Sequence, residues 1–389
     1  MRAARRAVAV TFLLNGILMG SFAVRIPAIR ERLDLSDGSQ GFALLFIALG
    51  SVIAMPLAGA LTARHGSRHT TTAAIVLASI GTGVVALAPS LAALCLLLFA
   101  MGAAHGSLDV CMNAHGVAVE RRYGRPILAG FHAAFSGGGL LGAALGGLAA
   151  GAELDARTHL GLVGAASVVA AVVASRFYLP AGADSGSREA PLFARPPAQI
   201  WTLGALAFAC LVIEGASADW SAVYMRVELG SSPATAALGF AAFSVTMTLF
   251  RIGGDRLTSA LGAATLVRGG GIVAAAGFAA ALLGSSPAAA VLGFACLGAG
   301  MACVVPNVFR SAGTLPDVPS GVGLAGVATM GYFGFVAGPP LIGGLAELTG
   351  LPTALGLLVL LAALVAALAP ATRPTPARTA SVTAAGSPA

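Results

Sequence analysis

Apolar residues run along this chain in long blocks, separated by short clusters of glycine, proline and arginine rather than alternating with polar positions. A helix needs about 20 predominantly apolar residues to cross a bilayer. Twelve blocks approach or exceed that length, at 7–24, 40–62, 70–88, 91–117, 127–150, 159–179, 199–225, 236–257, 263–284, 287–311, 321–346 and 351–370. The pattern predicts an all-α membrane protein with twelve transmembrane helices. Arg2, Arg5 and Arg6 precede the first block as they would a secretory signal, but no small-residue cleavage site precedes Arg25, so the block is read as a retained helix.

The stretch 181–198 is rich in Pro, Gly, Ser and Ala and divides the blocks six and six. The expected organisation is an N-terminal six-helix bundle over 1–180, a cytoplasmic linker over 181–198, a C-terminal six-helix bundle over 199–370 and a disordered cytoplasmic tail over 371–389. The halves match at an offset of 196: Leu61, Thr62 and Gly66 fall on Leu257, Thr258 and Gly262, and Gly138, Gly142 and Gly147 fall on Gly334, Gly338 and Gly343. Six helices after six in the same orientation form two parallel repeats about an axis along the membrane normal. That arrangement implies a substrate site between the halves and alternating access.

Composition agrees, with 57% hydrophobic and only 10% charged residues, against about 25% charged in soluble domains. All 22 basic residues are arginine. With both termini inside, the inner side receives 17 of them and the outer side five, namely Arg25, Arg30, Arg32, Arg157 and Arg226. This positive-inside bias places both termini in the cytoplasm of a bacterial inner membrane. The net charge of +7 is thus spread over short loops beside lipid, which argues against a nucleic-acid partner. The five cysteines all lie in apolar blocks without metal-ligand spacing. Neither a metal nor a cofactor is expected, and no nucleophile with its base or phosphate loop suggests an enzyme. The chain is read as a monomer in the bilayer.

Ionisable residues inside apolar spans are the candidates for chemistry, because a charge in the bilayer needs a cavity, a partner or a proton path. In span four, His105, Asp109 and Asn113, with Glu120 near the inner end, fall within about 80° of one helix face. Asp109 is taken as the coupling residue; a structural pair with His132 of span five or with an arginine is the alternative. Glu214 lies about 22 Å along span seven, sharing a polar face with Ser217 and Ser221, and is assigned to the cavity together with Asn15 of span one and His132 of span five, for which a buried packing role is the alternative.

The loop after span two reads Gly59-Ala-Leu61-Thr-Ala63-Arg64-His-Gly66-Ser-Arg68 and resembles the G-x-L-a-D-R-x-G-R-K signature of major facilitator proteins. In that family the acid helps latch the cytoplasmic side; here its position is Ala63. The gating candidates are therefore Arg64, Gly66 and Arg68, with Asp255 and Arg256 of the second copy as a substitute ion pair; ordinary positive-inside arginines are the alternative. Gly138, Gly142 and Gly146 recur every four residues, a spacing that lets a neighbouring backbone approach. With Gly147 they resemble the G-x-x-x-G-P-x-x-G-G motif of facilitator antiporters, whose proline is present in the copy Gly334, Gly338, Pro339 and Gly343. Simple close packing is the other reading of both runs.

Leu108-Asp109 followed by Asn113 resembles the fourth helix of the fucose-permease branch, where an acid and an asparagine link proton uptake to sugar binding; the acid which that branch also carries in helix one is missing here. Gly20-Ser-Phe-Ala-Val-Arg25, Ala218-Asp219-Trp220-Ser221 and the run Gly334 to Pro340 look like the bacterial subgroup that includes a rhizopine-linked membrane protein. Arg25 is read as an outer-gate or anion-binding residue, or as a plain loop charge. Covering nearly the whole chain, the resemblance implies the major facilitator fold and a proton-coupled secondary transporter of a small organic solute. The glycine motif leaves proton-antiport efflux open, and a non-transporting receptor or scaffold on the same fold is the remaining reading.

Overall fold

The computed structural model describes residues 1–35, 37–182, 198–316 and 318–373, so the greater part of the expected linker and tail lies outside the described residues. Six helices make the first half: α1 (Arg2–Arg32), α2 (Asp37–His65), α3 (Ser67–Val84), α4 (Leu91–Tyr123), α5 (Leu128–Gly151) and α6 (Ala156–Ser175). The second half holds α7 (Ala198–Val223), α8 (Pro233–Leu261), α9 (Ala263–Gly284), α10 (Pro287–Met301), α11 (Val304–Ala312), α12 (Ser320–Thr349) and α13 (Leu351–Leu368). Eleven described helical segments, with α10 and α11 counted as one, are long and apolar enough to cross a membrane. The 29-residue α8, packed against α5, α7 and α10, completes the twelve.

Packing repeats between the halves. Helix α1 pairs with α5 as α7 does with α12, α2 with α4 as α8 does with α10, and α3 with α6 as α9 does with α13. The halves meet through α2 against α12 and α5 against α8. Large apolar side chains such as Leu96 (70% exposed), Leu148 (73%) and Leu360 (68%) point outward, a surface suited to hydrocarbon and not to water.

Glycine marks the repeat in two ways. Gly66 and Gly262 turn α2 into α3 and α8 into α9 with φ of 79° and 78°, backbone that side chains rarely adopt. In the α1–α5 seam, a Cβ on Gly138 would stand 2.2 Å from the Leu13 carbonyl oxygen, and one on Gly142 2.2 Å from that of Ile17. Across the seam, Gly16 and Gly20 are equally tight against Phe135 and Gly139. In the second copy, Gly334 is tight against Phe208, but Gly338 beside Pro339 meets Val212 only at ordinary contact distance. Gly146 likewise has only a moderately close neighbour, Val24.

One expected span is broken. The block 287–311 forms two helices, α10 and α11, interrupted at Ala302–Cys303. Pro306 explains the interruption, since it has no N–H to return to the carbonyl four residues earlier. That carbonyl, on Ala302, instead accepts the Nε–H of Arg251 at 3.4 Å.

Candidate functional site

Twelve crossings bring Arg2 and Thr372 to one face, called here the terminal face, and most of the described side-chain bonds joining the halves gather there. Helix α5 begins without a side-chain cap of its own, leaving its first backbone N–H groups to find acceptors elsewhere. Two carboxylates supply them. Glu120 Oε2, from α4, accepts from the N–H of Ile127 at 2.7 Å and of Leu128 at 3.0 Å. Asp255, from α8 in the other half, accepts from Ala129 at 2.9 Å and Gly130 at 2.8 Å. Both charges sit at the positive end of the helix dipole. Arg310 of α11 closes the cluster: its guanidinium donates to both Glu120 oxygens and to Asn307 Oδ1 at 2.5 Å, and stands 3.9 Å from Asp255.

Small residues let the halves close up around this cluster. Gly59 and Gly321 bring α2 and α12 together, and Gly313 meets Val117. The Gly313 carbonyl also receives Arg121.

Beyond this floor, between α5, α7, α8 and α12, lies a cavity of about 520 Å³. Its apolar wall includes Phe240, Phe243 and Phe335; its polar wall includes Ser136, Glu214 and Arg251. Arg251 is buried, with one edge on the Ala302 carbonyl freed by Pro306, Nη1 donating to Ser136 Oγ at 3.1 Å and Nη2 at 3.6 Å from Glu214 Oε2. Glu214 keeps 30% of its side chain exposed to the cavity. This is a charge pair with one anchored member and one free to move. Asp109, on α4, has Asn113 Nδ2 at 3.1 Å and no ion pair among the described residues.

Other expected site residues go elsewhere. His105 and Asn15 do not open on the cavity. His105 Nδ1 meets Asn15 Oδ1 at 2.7 Å and its Nε2 meets Thr82 Oγ1 at 3.0 Å, so the three tie α1, α3 and α4 together inside the first half. Sharing one face of α4 did not give one environment, because His105 and Glu120 lie about 22 Å apart along the axis. The alternative pairing of Asp109 with His132 is not formed. His132 is buried among Phe12 and Phe309, with Nε2 lacking a protein partner.

Arg25 is buried too, donating to His159 Nδ1 and to the Leu154 carbonyl, which braces α1 against the α5–α6 turn. Arg68 donates to the carbonyls of Tyr178 and Leu179 in the segment that follows α6. The substitute pair expected between Asp255 and Arg256 is replaced by the bonds from Asp255 to the start of α5.

Sequence reading missed Arg251, counted as an inner-loop charge although it falls within the block 236–257, and likewise Arg310 within 287–311. Their positions inside apolar blocks were the available signal.

A sequence profile described as Major Facilitator Superfamily matches residues 8–316. The chain belongs to that superfamily. This facilitator is 37% identical to an uncharacterized MFS-type transporter of Yersinia pestis, over 90% of this chain and 91% of that protein. It is 33% identical to the membrane protein MosC of Rhizobium meliloti, over 91% of this chain and 86% of MosC. Among solved structures, FucP in its outward conformation superposes with a TM-score of 0.81 at 16% identity, covering 95% of this chain and 99% of FucP. At that identity the likeness concerns the fold alone. Membership makes the chain a multi-pass membrane protein and a secondary transporter.

Proposed function

We propose that this facilitator is a proton-coupled carrier of a small organic solute in the bacterial inner membrane, with both termini cytoplasmic and the cavity opening outward. The observation that carries the coupling is Asp109, a membrane-embedded carboxylate with a neutral amide as its partner and no ion pair among the described residues. An ionised carboxylate costs several kcal/mol in such a setting. A proton or a cationic solute group relieves that cost. Glu214, held loosely by the anchored Arg251, is the second site at which a solute can exchange partners with the protein. The phenylalanines opposite supply apolar contact, while Ser136 and the charge pair supply orientation. The proton-coupled sense also accords with a solved fold relative, the E. coli FucP, which is a fucose:proton symporter. The cytoplasmic orientation rests on the arginine bias of the loops.

The test is transport in proteoliposomes under a pH gradient of either sign, with radiolabelled metabolites and the variants Asp109→Asn and Glu214→Gln. A solute that moves only with the gradient, and is uncoupled by Asp109→Asn, supports the reading, and the required sign decides between uptake and efflux. Equal movement without a gradient in all three proteins overturns the coupling role.

A further inference from the structure

Two further cavities lie on the outer surface of the first half, away from the transport cavity. On α1, Ala3, Arg6, Ala7 and Val10 form a stripe at helical spacing, and on α6 Ala170, Val173 and Ala174, with Phe177 in the turn just after it, form another. The helices pack against each other, and the small alanines on both sides leave an apolar groove of about 540 Å³ between the stripes. Val173 and Phe177 are half exposed along it. Arg6 closes the groove at the terminal face and also belongs to a neighbouring pocket of about 420 Å³, walled by Arg2, Arg5, Arg6 and Tyr123. An apolar slot therefore runs directly into a basic pocket.

The pocket is built, not merely charged. Arg5 donates to the Tyr123 hydroxyl at 3.1 Å with its guanidinium 5.3 Å from the ring centroid, and Arg125 stacks on the same ring at 5.2 Å. These contacts fix cationic groups without neutralising them. Arg2 and Arg6 have no acidic partner among the described residues. The depths also agree: the arginines lie on the first turns of α1 at the terminal face, and the groove runs about 10 Å along the helix from Ala3 to Val10.

We propose that this is a binding site for one anionic phospholipid, its phosphate among Arg2, Arg5 and Arg6 and the upper part of one acyl chain in the α1–α6 groove. A zwitterionic lipid could fill the groove, but it brings a cation into a pocket that already has three. Free phosphate could fill the pocket but would leave the groove unused. Basic pockets at the membrane surface select anionic head groups in this way.

Native mass spectrometry of the delipidated full-length protein tests the site, with phosphatidylglycerol, phosphatidylethanolamine of the same chains, and inorganic phosphate as probes. One phosphatidylglycerol is expected to remain bound at lipid levels where phosphatidylethanolamine is lost, unaffected by millimolar phosphate. Arg2→Gln with Arg6→Gln should weaken it roughly 25-fold, about five-fold per arginine. Arg2→Lys with Arg6→Lys should retain it, and Val173→Trp, which obstructs the groove from an exposed position, should also weaken it. Equal retention of the two lipids, or an undiminished Gln variant, would show plain annular lipid. Displacement by phosphate together with an unaffected Val173→Trp would show an anion pocket with no lipid specificity. Either result overturns the proposal.

Discussion

Asp255→Asn should release the terminal face. The carboxylate accepts two backbone N–H groups at the start of α5 and lies near Arg310. The amide keeps the shape but offers one acceptor oxygen and no charge. One charge-assisted hydrogen bond contributes about 1.5–3 kcal/mol, and a charge at a helix N-terminus about 0.3–1 kcal/mol more. With the side chain 18% exposed, water recovers part of this, which leaves a loss of about 2–3 kcal/mol. Because the bonds exist only while the halves are together at this face, the loss acts on the equilibrium between closed and open states by roughly 30- to 150-fold. A closed preference of about 99 to 1 would fall to near parity. Spin labels at Arg125 and Thr314, one in each half at this face, in a background lacking the five native cysteines, would read the change by double electron–electron resonance. The wild-type background should give one short distance, and Asp255→Asn a second, longer one of comparable weight. An unchanged distribution in a folded variant would refute the claim that these bonds hold the face shut.

Three further outcomes follow from the same geometry. Gly142→Val should lower the thermal midpoint by several degrees, since its Cβ would lie 2.2 Å from the Ile17 carbonyl oxygen, whereas Gly147→Ala, with nothing within 4 Å, should leave it unchanged; overpacking of this kind costs about 1–3 kcal/mol or more. Arg251→Gln should abolish gradient-driven transport in proteoliposomes while leaving a protein that still elutes as one species, because Glu214 remains open to the hydrated cavity; Arg251→Lys should restore only part, as one ammonium cannot replace the fork that spans Ala302, Ser136 and Glu214. Asp155 caps α6 through the hydroxyl and N–H of Thr158 and the N–H of Arg157, and these bonds hold its carboxyl below the ordinary carboxylate range. A depressed folded value makes the cap's contribution present above the unfolded pKa of about 3.9 and lost as pH falls through the folded one, so amide exchange at Arg157 and Thr158, corrected for its intrinsic pH dependence, should lose protection only at strongly acidic pH.

How much of this could be read in advance depends on whether a constraint leaves a trace in the order of residues. The bilayer imposes about 20 apolar residues per crossing, and the duplication left Gly66 and Gly262 in the same left-handed turn, so the twelve-helix repeat was legible. Helical spacing, however, gives an angle and not a neighbour. His105 and Glu120 share a face of α4, yet one bonds inside one half and the other bonds across the halves at the terminal face. The acceptors of that cluster were visible as acids, but their donors are backbone amides at the start of α5, which carry no side-chain signature. Arg251 shows the limit most clearly. Its meaning depends on the carbonyl that Pro306 frees 51 residues away, a consequence of helix chemistry that becomes visible only once α8 and α10 are known to lie side by side. The missing acid at Ala63 leads to the same point. Loss of a motif residue predicts a missing gate only if no other element can reach the gate's position. In a duplicated fold the second copy supplies such an element, and Asp255 reaches the start of α5 from there.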